Sequence, residues 1–461
     1  MASRGDTVAA PEKSLWQRCL AVGIGNFMEW FDFATFGFFA GVIGREFFVG
    51  GSAAVSVLSA LAVFAVGFFM RPLGGIILGT VGDRYGRRTA LTASIVAMGI
   101  ATTLLGCLPN YNTIGVLAPV LLVFGRCLQG LSAGGEYTGA ASFLLEAVPA
   151  RRRGLYTSVI VGTSGLATMI GSITALTLTS ILSPADLASF GWRIPFLCAL
   201  PLAAIGLFIR LRLEDTPVFK VVNRRRDATG RGNVGTARRN AIKPMMLTLA
   251  MASVGTVGYY YLSSFVSNFL QTTVMMSPTH AFVVTGLGLF TYMCMTPVAG
   301  HLSDRYGRRP INLIGTCGSM VVIVPMFYLL RTGDLPLCVL GVGMYAVCQS
   351  FAITSLTVML VELFPASARM SGSSIGYNVG QALFGGPGPF IGSWLALTFA
   401  SAIAPAFYVV VLAFVAFIVL FLWLPETGQR DIESDEGMQW GRAAKNLATL
   451  PAENSSTVNV A

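Results

Sequence analysis

Long apolar runs alternate with short polar segments along the whole chain. Twelve such runs begin near residues 17, 52, 89, 115, 154, 192, 244, 280, 311, 335, 370 and 402, with six before the polar segment 214–243 and six after it. A helix needs about 20 mostly apolar residues to cross a bilayer. The pattern therefore predicts an all-α membrane protein with twelve transmembrane helices in two six-helix bundles.

Lysine and arginine concentrate in every second connection between the runs. The segments GDRYGRR (82–88), PARRRG (149–154), 214–243 and SDRYGRR (303–309) are basic, whereas LPNYNTIG (108–115) carries no basic residue. Basic loops of membrane proteins stay on the cytoplasmic side. The alternation therefore predicts that both termini are cytoplasmic.

These two patterns divide the chain into five predicted regions. A cytoplasmic N-terminal segment (1–14) precedes the first bundle (15–213), a basic cytoplasmic linker (214–243), the second bundle (244–424) and a cytoplasmic tail (425–461). The N-terminal segment lacks the pattern of a cleavable signal, so we expect the first apolar run to be retained.

The composition agrees with a membrane protein and argues against other classes. Of the 461 residues, 54% are hydrophobic and 11% are charged, against about 25% charged residues in a typical soluble domain. The net charge of +10 lies in the short loops, which suits membrane topology, so no nucleic-acid partner is expected. The eight cysteines are scattered singly, a spacing that predicts neither a zinc site nor a disulfide framework.

The two halves of the chain repeat one another. GTVGDRYGRR (79–88) recurs as GHLSDRYGRR (300–309), and LEAVPARRRG (145–154) has a weaker echo in VELFPASARMSG (361–372). The short motifs EDTP (214–217) and PETG (425–428) each follow the last run of their half. An internal duplication with a six-helix unit is typical of two-bundle transporters.

The repeated loop G-x-x-x-D-R-x-G-R-R resembles the signature loop of the major facilitator superfamily. Further stretches are similar to its metabolite:proton symporter branch: GNFMEWFDF (25–33), RPLGG (71–75), GRCLQGLSAGGEYTGA (125–140), GWRIPF (191–196) and LEDTPVF (213–219). Bacterial members of that branch carry proline and glycine betaine, α-ketoglutarate, citrate, dicarboxylates or shikimate. GNFMEWFDF and GGEYTGA most resemble the proline/glycine-betaine members.

This resemblance implies a transporter of the bacterial cytoplasmic (inner) membrane. It implies uptake of a small molecule by alternating access, coupled to protons, with no cofactor beyond the proton as coupling ion. The osmosensing betaine carriers end in a long charged heptad tail, whereas residues 425–461 show no sustained heptads. Osmotic regulation through a coiled coil is therefore not expected.

Two acids in GNFMEWFDF are the first candidates for proton coupling. Glu29 and Asp32 are spaced i, i+3 and share one helix face with Asn26. An acid at mid-membrane costs roughly 2.5–3.5 kcal/mol, and two acids on one face repel each other, which favours protonation of one of them. The alternative is that one acid is a structural partner of Arg71 or Arg126.

Arg126 and Glu136 lie on the fourth predicted helix. An arginine cannot shed its proton, so within the membrane Arg126 needs an anion. This anion is either a substrate carboxylate or a permanent partner, Asp32 or Glu136. Glu136 lies among glycines in AGGEYTG, where it either faces the transport pathway as a third proton-coupling candidate or fixes the packing of the helix.

The second half has few ionisable residues inside its helices and is rich in tyrosine and amide side chains. Such residues can surround a quaternary ammonium through cation–π attraction, although each tyrosine can equally be a core residue. The predicted substrate-binding residues are Asn26, Arg126, Gln129, Tyr137, Tyr260, Tyr377 and Gln381.

The repeated loops predict a conformational latch. The resemblance to the superfamily motif implies that these loops act as a latch that holds the outward-open state. The residues to which it gives this role are Asp83, Arg84, Arg87, Arg88, Glu146, Asp304, Arg305, Arg308 and Arg309. Asp83 is expected opposite the basic segment Arg151–Arg153.

The leading hypothesis is a proton symporter for a carboxylate-bearing metabolite, preferably a zwitterion such as glycine betaine or proline. The alternatives are a symporter for a di- or tricarboxylate or for shikimate, and proton-coupled efflux of amphipathic cations. A sensor or receptor would need a signalling module, and an enzyme would need a nucleophile–base set. The sequence shows neither. Each chain contains a complete pathway, so a monomer suffices.

Overall fold

The computed structural model describes residues 12–50, 52–212, 214–215, 234–428, 430 and 432. All regular elements within these residues are helical. The first half contains α1 (Glu12–Phe38), α2 (Ala40–Phe47), α3 (Ala53–Phe69), α4 (Arg71–Tyr85), α5 (Arg87–Gly106), α6 (Tyr111–Ile114), α7 (Leu117–Ala133), α8 (Glu136–Leu145), α9 (Arg153–Ile181), α10 (Pro184–Ser189), α11 (Ile194–Leu197) and α12 (Ala199–Leu211).

The second half follows the same plan. It contains α13 (Val234–Tyr260), α14 (Val266–Thr272), α15 (Pro278–Tyr306), α16 (Arg308–Leu330), α17 (Leu335–Glu362), α18 (Arg369–Gly380), α19 (Gly388–Thr398) and α20 (Ala404–Trp423). Short 3-10 turns occupy Ala150–Arg152, Gly191–Arg193 and Ala366–Ala368, and π-helical turns occupy Tyr261–Phe265 and Gln381–Gly385.

The predicted all-helical membrane class is confirmed. In the described part of the chain, ten helical stretches are long and apolar enough to cross a membrane. The last of them, α20, exposes Phe414, Phe421 and Trp423, as expected of a surface that faces lipid. The two remaining predicted crossings are α1, which carries acids and Arg18, and α18 with α19, which is rich in glycine and serine. At these two places the count of twelve stays a prediction.

Irregular backbone interrupts several of these helices. Gly134 and Gly135 separate α7 from α8, and the two π-helical turns separate α13 from α14 and α18 from α19. A π-helical turn changes the direction in which the following side chains point, and such turns often occur at functional sites. Tyr260 and Gln381 stand at the edges of these turns.

The halves contact each other through two equivalent helix pairs, α9 with α15 and α4 with α18. A Cβ atom on Gly154 would lie 2.4 Å from the Gly300 carbonyl oxygen, and one on Gly79 would lie 2.8 Å from the Ser371 Cα. Neither approach leaves room for a side chain. The glycines of the repeated motifs thus allow the two halves to pack closely at related positions.

The division into five regions stays a prediction, beside which the ends of the helices can be placed. The first half ends with α12 at Leu211 and the second with α20 at Trp423. The predicted linker, however, already contains the start of α13 at Val234. The N-terminal segment before residue 12, residues 216–233 of the linker and the tail beyond residue 432 lie outside the described residues.

Candidate functional site

Glu29 and Asp32 are both buried in α1, and each has its own partner. Glu29 Oε1 forms an ion pair with Nη2 of Arg71 on α4. Asp32 Oδ2 accepts hydrogen bonds from Thr102 Oγ1 at 2.9 Å and from Nε2 of Gln129. Both acids face the interior of the protein, as their spacing suggested, but they do not share one cation. For Glu29 the structure favours the predicted alternative of a pair with Arg71.

Arg126 is fully buried, and its guanidinium is surrounded by aromatic rings. Its Cζ lies 4.7 Å from the ring centre of Phe33, 4.4 Å from that of Phe36 and 5.2 Å from that of Phe64. Its Nη2 reaches the Phe64 carbonyl oxygen at 3.5 Å. Among the residues that the structure describes, no carboxylate forms an ion pair with Arg126, so this buried charge has no direct anionic partner there.

Gln129 lies between Asp32 and Arg126. Its Oε1 accepts a hydrogen bond from Arg126 Nη1, and its Nε2 donates one to Asp32. A carboxamide can serve an acid and a guanidinium together because it has both a donor and an acceptor. The predicted alternative of a direct Arg126–Asp32 pair is therefore replaced by an indirect connection through a neutral side chain.

Glu136 is held by a residue that the sequence did not single out. Arg210 of α12 binds both of its carboxylate oxygens, with Nη1 3.2 Å from Oε2 and Nη2 paired with Oε1. A Cβ atom on Gly25 would lie 1.7 Å from Arg210 Nη2, so the pair fills the space beside α1. This geometry favours the packing alternative for Glu136, and its role in proton coupling stays a prediction. The sequence did not mark Arg210 as a partner of Glu136, because Arg210 lies in the last turn of its helix, where arginines commonly set membrane topology.

An aromatic cluster lies between the halves and consists of Trp30, Tyr137, Tyr259, Tyr260 and Tyr377. The Trp30 ring centre is 4.6 Å from that of Tyr259, 5.8 Å from that of Tyr260 and 6.1 Å from that of Tyr137. Tyr137 stacks on Tyr377 at 4.9 Å. Three members were predicted. Trp30 and Tyr259 were not among the predicted substrate-binding residues, although Trp30 follows Asn26 by one helical turn.

Asn26 is occupied by protein partners. Its Nδ2 donates to the Ile160 carbonyl at 2.7 Å and to Thr163 Oγ1 and Ser164 Oγ at 2.9 Å each. Its Oδ1 accepts a hydrogen bond from Trp30 Nε1 at 3.1 Å. The predicted direct contact with substrate is therefore not favoured, and the side chain instead fixes the orientation of Trp30.

Gln381 keeps a free donor beside the aromatic cluster. Tyr260 donates its hydroxyl to Gln381 Oε1 at 3.4 Å. Gln381 Nε2 is buried and has no hydrogen-bond partner in the described part of the chain. A buried unpaired amide is unfavourable, so this group is suited to bind an acceptor that enters the site.

Asp83 and Asp304 were predicted to begin loops but lie in the last turns of α4 and α15, where they cap helices of the opposite half. Asp83 accepts backbone hydrogen bonds from Met370 at 3.3 Å and Ser371 at 2.9 Å. Asp304 accepts them from Gly154 and Leu155 at 2.8 Å each. The expectation that Asp83 faces Arg151–Arg153 is wrong, since the equivalent segment of the second half occupies that place.

Ion pairs between the halves complete this arrangement. Glu146 binds Arg87 of its own half at 3.4 Å and Arg369 of the other at 2.7 Å. Its counterpart Glu362 binds Arg308 at 3.3 Å and Arg153 of the other half at 3.6 Å. We call the end of the molecule that contains Asp83, Glu146, Asp304 and Glu362 the latch end. Glu362 and Arg369 were not predicted, although the echo of LEAVPARRRG in the second half contained the signal. Arg153 was expected opposite Asp83 and instead pairs with Glu362.

The other predicted latch residues divide into two groups. Arg88 and Arg309 bind carbonyl oxygens at the end of the last helix of their half, at Leu211 (2.6 Å) and Phe421 (2.7 Å). Arg84 and Arg305 lie over the adjacent rings of Tyr85 and Tyr306, and the structure does not bring these two into the network.

The opposite end of the molecule is also closed. Asn268 Nδ2 donates to the Gly37 carbonyl at 3.0 Å, and Ser172 Oγ donates to the Phe282 carbonyl at 3.0 Å. Phe38 packs edge-on against Phe282 at 5.8 Å. The halves therefore meet both above and below the aromatic cluster, which gives an occluded arrangement.

Removing the shared acid of the latch end should destabilise the protein. Glu146→Gln would leave the buried Arg87 and Arg369 without their common carboxylate, a loss that typically amounts to about 3–5 kcal/mol for a buried pair. We expect the apparent melting temperature of the detergent-solubilised protein to fall by several degrees. Glu46→Gln, which changes an acid that is bound to Asn110 near the opposite end, is the control. Equal melting temperatures for both variants would contradict the assigned contacts.

Comparison with known proteins finds related sequences along nearly the whole chain. Residues 18–251 match the family described as "Sugar (and other) transporter", and residues 246–452 match "Major Facilitator Superfamily". The "Proline/betaine transporter" of Escherichia coli (strain K12) is 34% identical over 436 residues, which cover 93% of this chain and 87% of that protein. The "Glycine betaine/proline/ectoine/pipecolic acid transporter OusA" of Dickeya dadantii is 33% identical with the same coverage.

Solved structures agree on the fold. The proton:xylose symporter XylE, bound to 6-bromo-6-deoxy-D-glucose, superposes with a TM-score of 0.74 over 94% of this chain and 100% of the other. The identity of the two sequences is 16%. At that identity the similarity establishes the arrangement of the helices and no more.

Proposed function

Because the chain belongs to the major facilitator superfamily, in the branch that contains the bacterial proline/betaine transporters, we propose that it imports a small zwitterion together with protons. The protein is a multi-pass membrane transporter and not an enzyme. In the proposal all twelve helices cross a bacterial inner membrane, and the latch end and both termini face the cytoplasm. The basic loops at the latch end support this orientation.

The buried guanidinium of Arg126 is the observation that carries the proposal. Arg71 and Arg210 are both occupied by carboxylates, Glu29 and Glu136, whereas Arg126 contacts ring faces, one amide and one carbonyl. Of these three arginines, Arg126 is the one without an ion pair in the described part of the chain, and one such cation suits a substrate with one carboxylate. A guanidinium binds a carboxylate through two parallel hydrogen bonds, which fixes the orientation of the bound molecule.

The aromatic cluster suits the other end of a zwitterion. Trp30, Tyr259 and Tyr260 lie at the contact between the halves, with ring centres 4.6 to 6.1 Å apart. Ring faces attract a quaternary or secondary ammonium without requiring a compensating acid. The relatives support this chemistry, because proline, betaine, ectoine and pipecolic acid, after which they are named, all combine a carboxylate with a cationic nitrogen centre.

Asp32 supports the coupling to protons. In its ionised form it compensates the charge of Arg126 through Gln129, and in its protonated form it does not. Protonation would therefore leave Arg126 to the substrate carboxylate, and binding of substrate would in turn favour protonation of Asp32, since linkage is reciprocal. One proton and one substrate then enter together and change which half-to-half arrangement is favoured.

The alternatives find less support in the same geometry. A di- or tricarboxylate needs a second free cation near Arg126, and Arg71 is already paired with Glu29. Efflux of amphipathic cations calls for acids without a free arginine. The two halves of one chain enclose the site, so transport requires no second subunit.

Uptake into proteoliposomes tests the proposal. We expect radiolabelled glycine betaine or proline to accumulate when an inward proton gradient is imposed, and only to equilibrate when a protonophore is added. Choline, which lacks the carboxylate, and α-ketoglutarate and citrate, which carry additional ones, should not compete with the zwitterion. Accumulation of a dicarboxylate instead, or uptake that ignores the gradient, would reject the zwitterion or the coupling respectively.

A further inference from the structure

Asn378 of α18 lies in the contact between the halves, and both its amide nitrogen and its amide oxygen form hydrogen bonds with the first half. Its Nδ2 donates to the Gly134 carbonyl at 2.5 Å, at the break between α7 and α8. Its Oδ1 accepts a hydrogen bond from Arg71 Nε at 3.2 Å. A Cβ atom on Gly75 would lie 2.8 Å from Asn378 Nδ2, so the amide enters a space that only a glycine leaves open.

Arg71 therefore connects an acid of the first half, Glu29, with an amide of the second half, Asn378. One edge of its guanidinium pairs with Glu29 of α1, and its Nε–H points to the second half. A guanidinium is rigid and planar, so its hydrogen bonds are coupled: a rotation that releases one edge misaligns the other. The position of the Arg71–Asn378 contact thus depends on whether Glu29 holds its charge.

The neighbouring hydrogen bonds between the halves join neutral groups, so their strength does not depend on the charge of an acid. Tyr137 and Thr357 share a hydroxyl hydrogen bond of 2.6 Å, and Thr138 and Ser374 share another. These four groups are neutral hydroxyls. Beside these two neutral bonds, the bond from Arg71 to Asn378 brings an ionised side chain of the first half to the second half.

The surroundings of Glu29 restrict which charges can act on it. The charged groups that face it are Arg71 on α4, Glu136 on α8 and Arg210 on α12, with Asp32 on its own helix. The neutral hydroxyls of Tyr137, Tyr260 and Tyr377 also face it. Glu136 and Arg210 are bound to each other. A change in the charge of Glu29 is therefore transmitted chiefly to Arg71.

We propose that Asn378 is a positioning residue that couples the Glu29–Arg71 ion pair to the closure of the latch end. While Glu29 is ionised, Arg71 is held where its Nε–H binds Asn378, and α18 stays packed on α4. When Glu29 is neutral, Arg71 is released, the contact with Asn378 is lost and the latch end opens more readily. The inference rests on the proposed alternating-access function, but it concerns an equilibrium that can be measured without substrate.

Distances between spin labels test the coupling directly. Tyr85 and Tyr306 are exposed, 60% and 59% respectively, and stand at the latch end on different halves, so labelled cysteines at these positions report its opening. The background is a variant in which the eight native cysteines are replaced, reconstituted into nanodiscs. We expect Glu29→Gln and Asn378→Ala each to raise the ratio of long to short distances roughly tenfold, as fits the loss of one hydrogen bond to a charged group. The double variant should open no further than either single variant.

The matched control is Asn312, a buried amide that serves only the second half. It donates to the Ala352 carbonyl at 3.2 Å and to Ser355 Oγ at 3.1 Å. Asn312→Ala should leave the distance ratio unchanged and should not alter the effect of Glu29→Gln. If Asn378→Ala fails to fold, Arg71→Lys replaces it, because an ammonium can pair with Glu29 but cannot reach Asn378 at the same time.

Either of two results would overturn the inference. In the first, the effects of Glu29→Gln and Asn378→Ala (or Arg71→Lys) on the distance ratio add up in the double variant. In the second, neither Asn378→Ala nor Arg71→Lys changes the distance ratio. Because these measurements need no substrate, the inference can fail while zwitterion uptake is observed. It can equally hold if the transported molecule proves to be a different one.

Discussion

Replacing Arg126 by lysine should raise the KM for uptake roughly 30- to 1000-fold, which corresponds to about 2–4 kcal/mol of lost binding. Lysine keeps the positive charge, so Asp32 and Gln129 retain a cation nearby. It loses the planar fork that holds a carboxylate with two hydrogen bonds. It also lacks the flat guanidinium that lies over the rings of Phe33 and Phe36, so its ammonium is held less firmly in place. The measurement is the initial rate of substrate exchange as a function of concentration in proteoliposomes.

The matched control for this prediction is Arg210→Lys. Arg210 is also buried and also belongs to the first half, but it already has the carboxylate of Glu136. Its replacement should reduce the yield or the melting temperature of the protein while the KM stays within about twofold of the wild type. An equal rise of KM in both variants would show that Arg126 acts through the packing of the bundle and does not bind the carboxylate itself.

The sequence predicted those parts of the molecule that are encoded locally. Apolar runs define the helices, and the repeated loops place Asp83 and Asp304 at equivalent helix ends. The spacing of Glu29 and Asp32 put both on the inner face of α1. Each of these features depends on residues within a few turns of one helix, so a single chain segment contains the necessary information.

The choice of partners could not be predicted in the same way. Glu136 had Arg126 as its nearest basic neighbour in sequence, yet it pairs with Arg210 of α12. Asp83 was expected beside Arg151–Arg153, and the backbone of α18 took that place. Both outcomes depend on which helices lie next to one another, and that order is set by packing between segments far apart in the chain.

The aromatic cluster illustrates the same limit. The second half has many tyrosines, and composition alone cannot say which of them face the first half. Tyr259, which was not among the predicted substrate-binding residues, donates its hydroxyl to the Ser164 carbonyl at 2.8 Å and packs on Trp30. Tyr259 precedes the π-helical turn at Tyr261–Phe265, so the direction in which it points follows from how α13 packs, and no sequence motif marks that packing.

Replacing Asp32 by asparagine should abolish accumulation against a gradient and preserve exchange. An asparagine has the shape of the protonated acid and no charge, so Arg126 would be continuously available to the substrate carboxylate. The KM for exchange should therefore be equal to or lower than that of the wild type, and the ratio of internal to external substrate under a proton gradient should fall to about one. The wild-type exchange rate should depend on pH, and that of Asp32→Asn should not.

The matched control is Glu136→Gln, because Glu136 is an equally buried acid that has a full ion pair with Arg210. Its loss should lower the amount of folded protein, but the molecules that fold should still accumulate substrate. If Asp32→Asn accumulates substrate like the wild type and Glu136→Gln does not, the proton is carried on Glu136, and Arg210 must then release it during transport. The comparison is informative because the two acids differ in one respect. Glu136 has a guanidinium on both oxygens, whereas Asp32 reaches its cation only through Gln129, so of these two acids Asp32 exchanges its proton more easily.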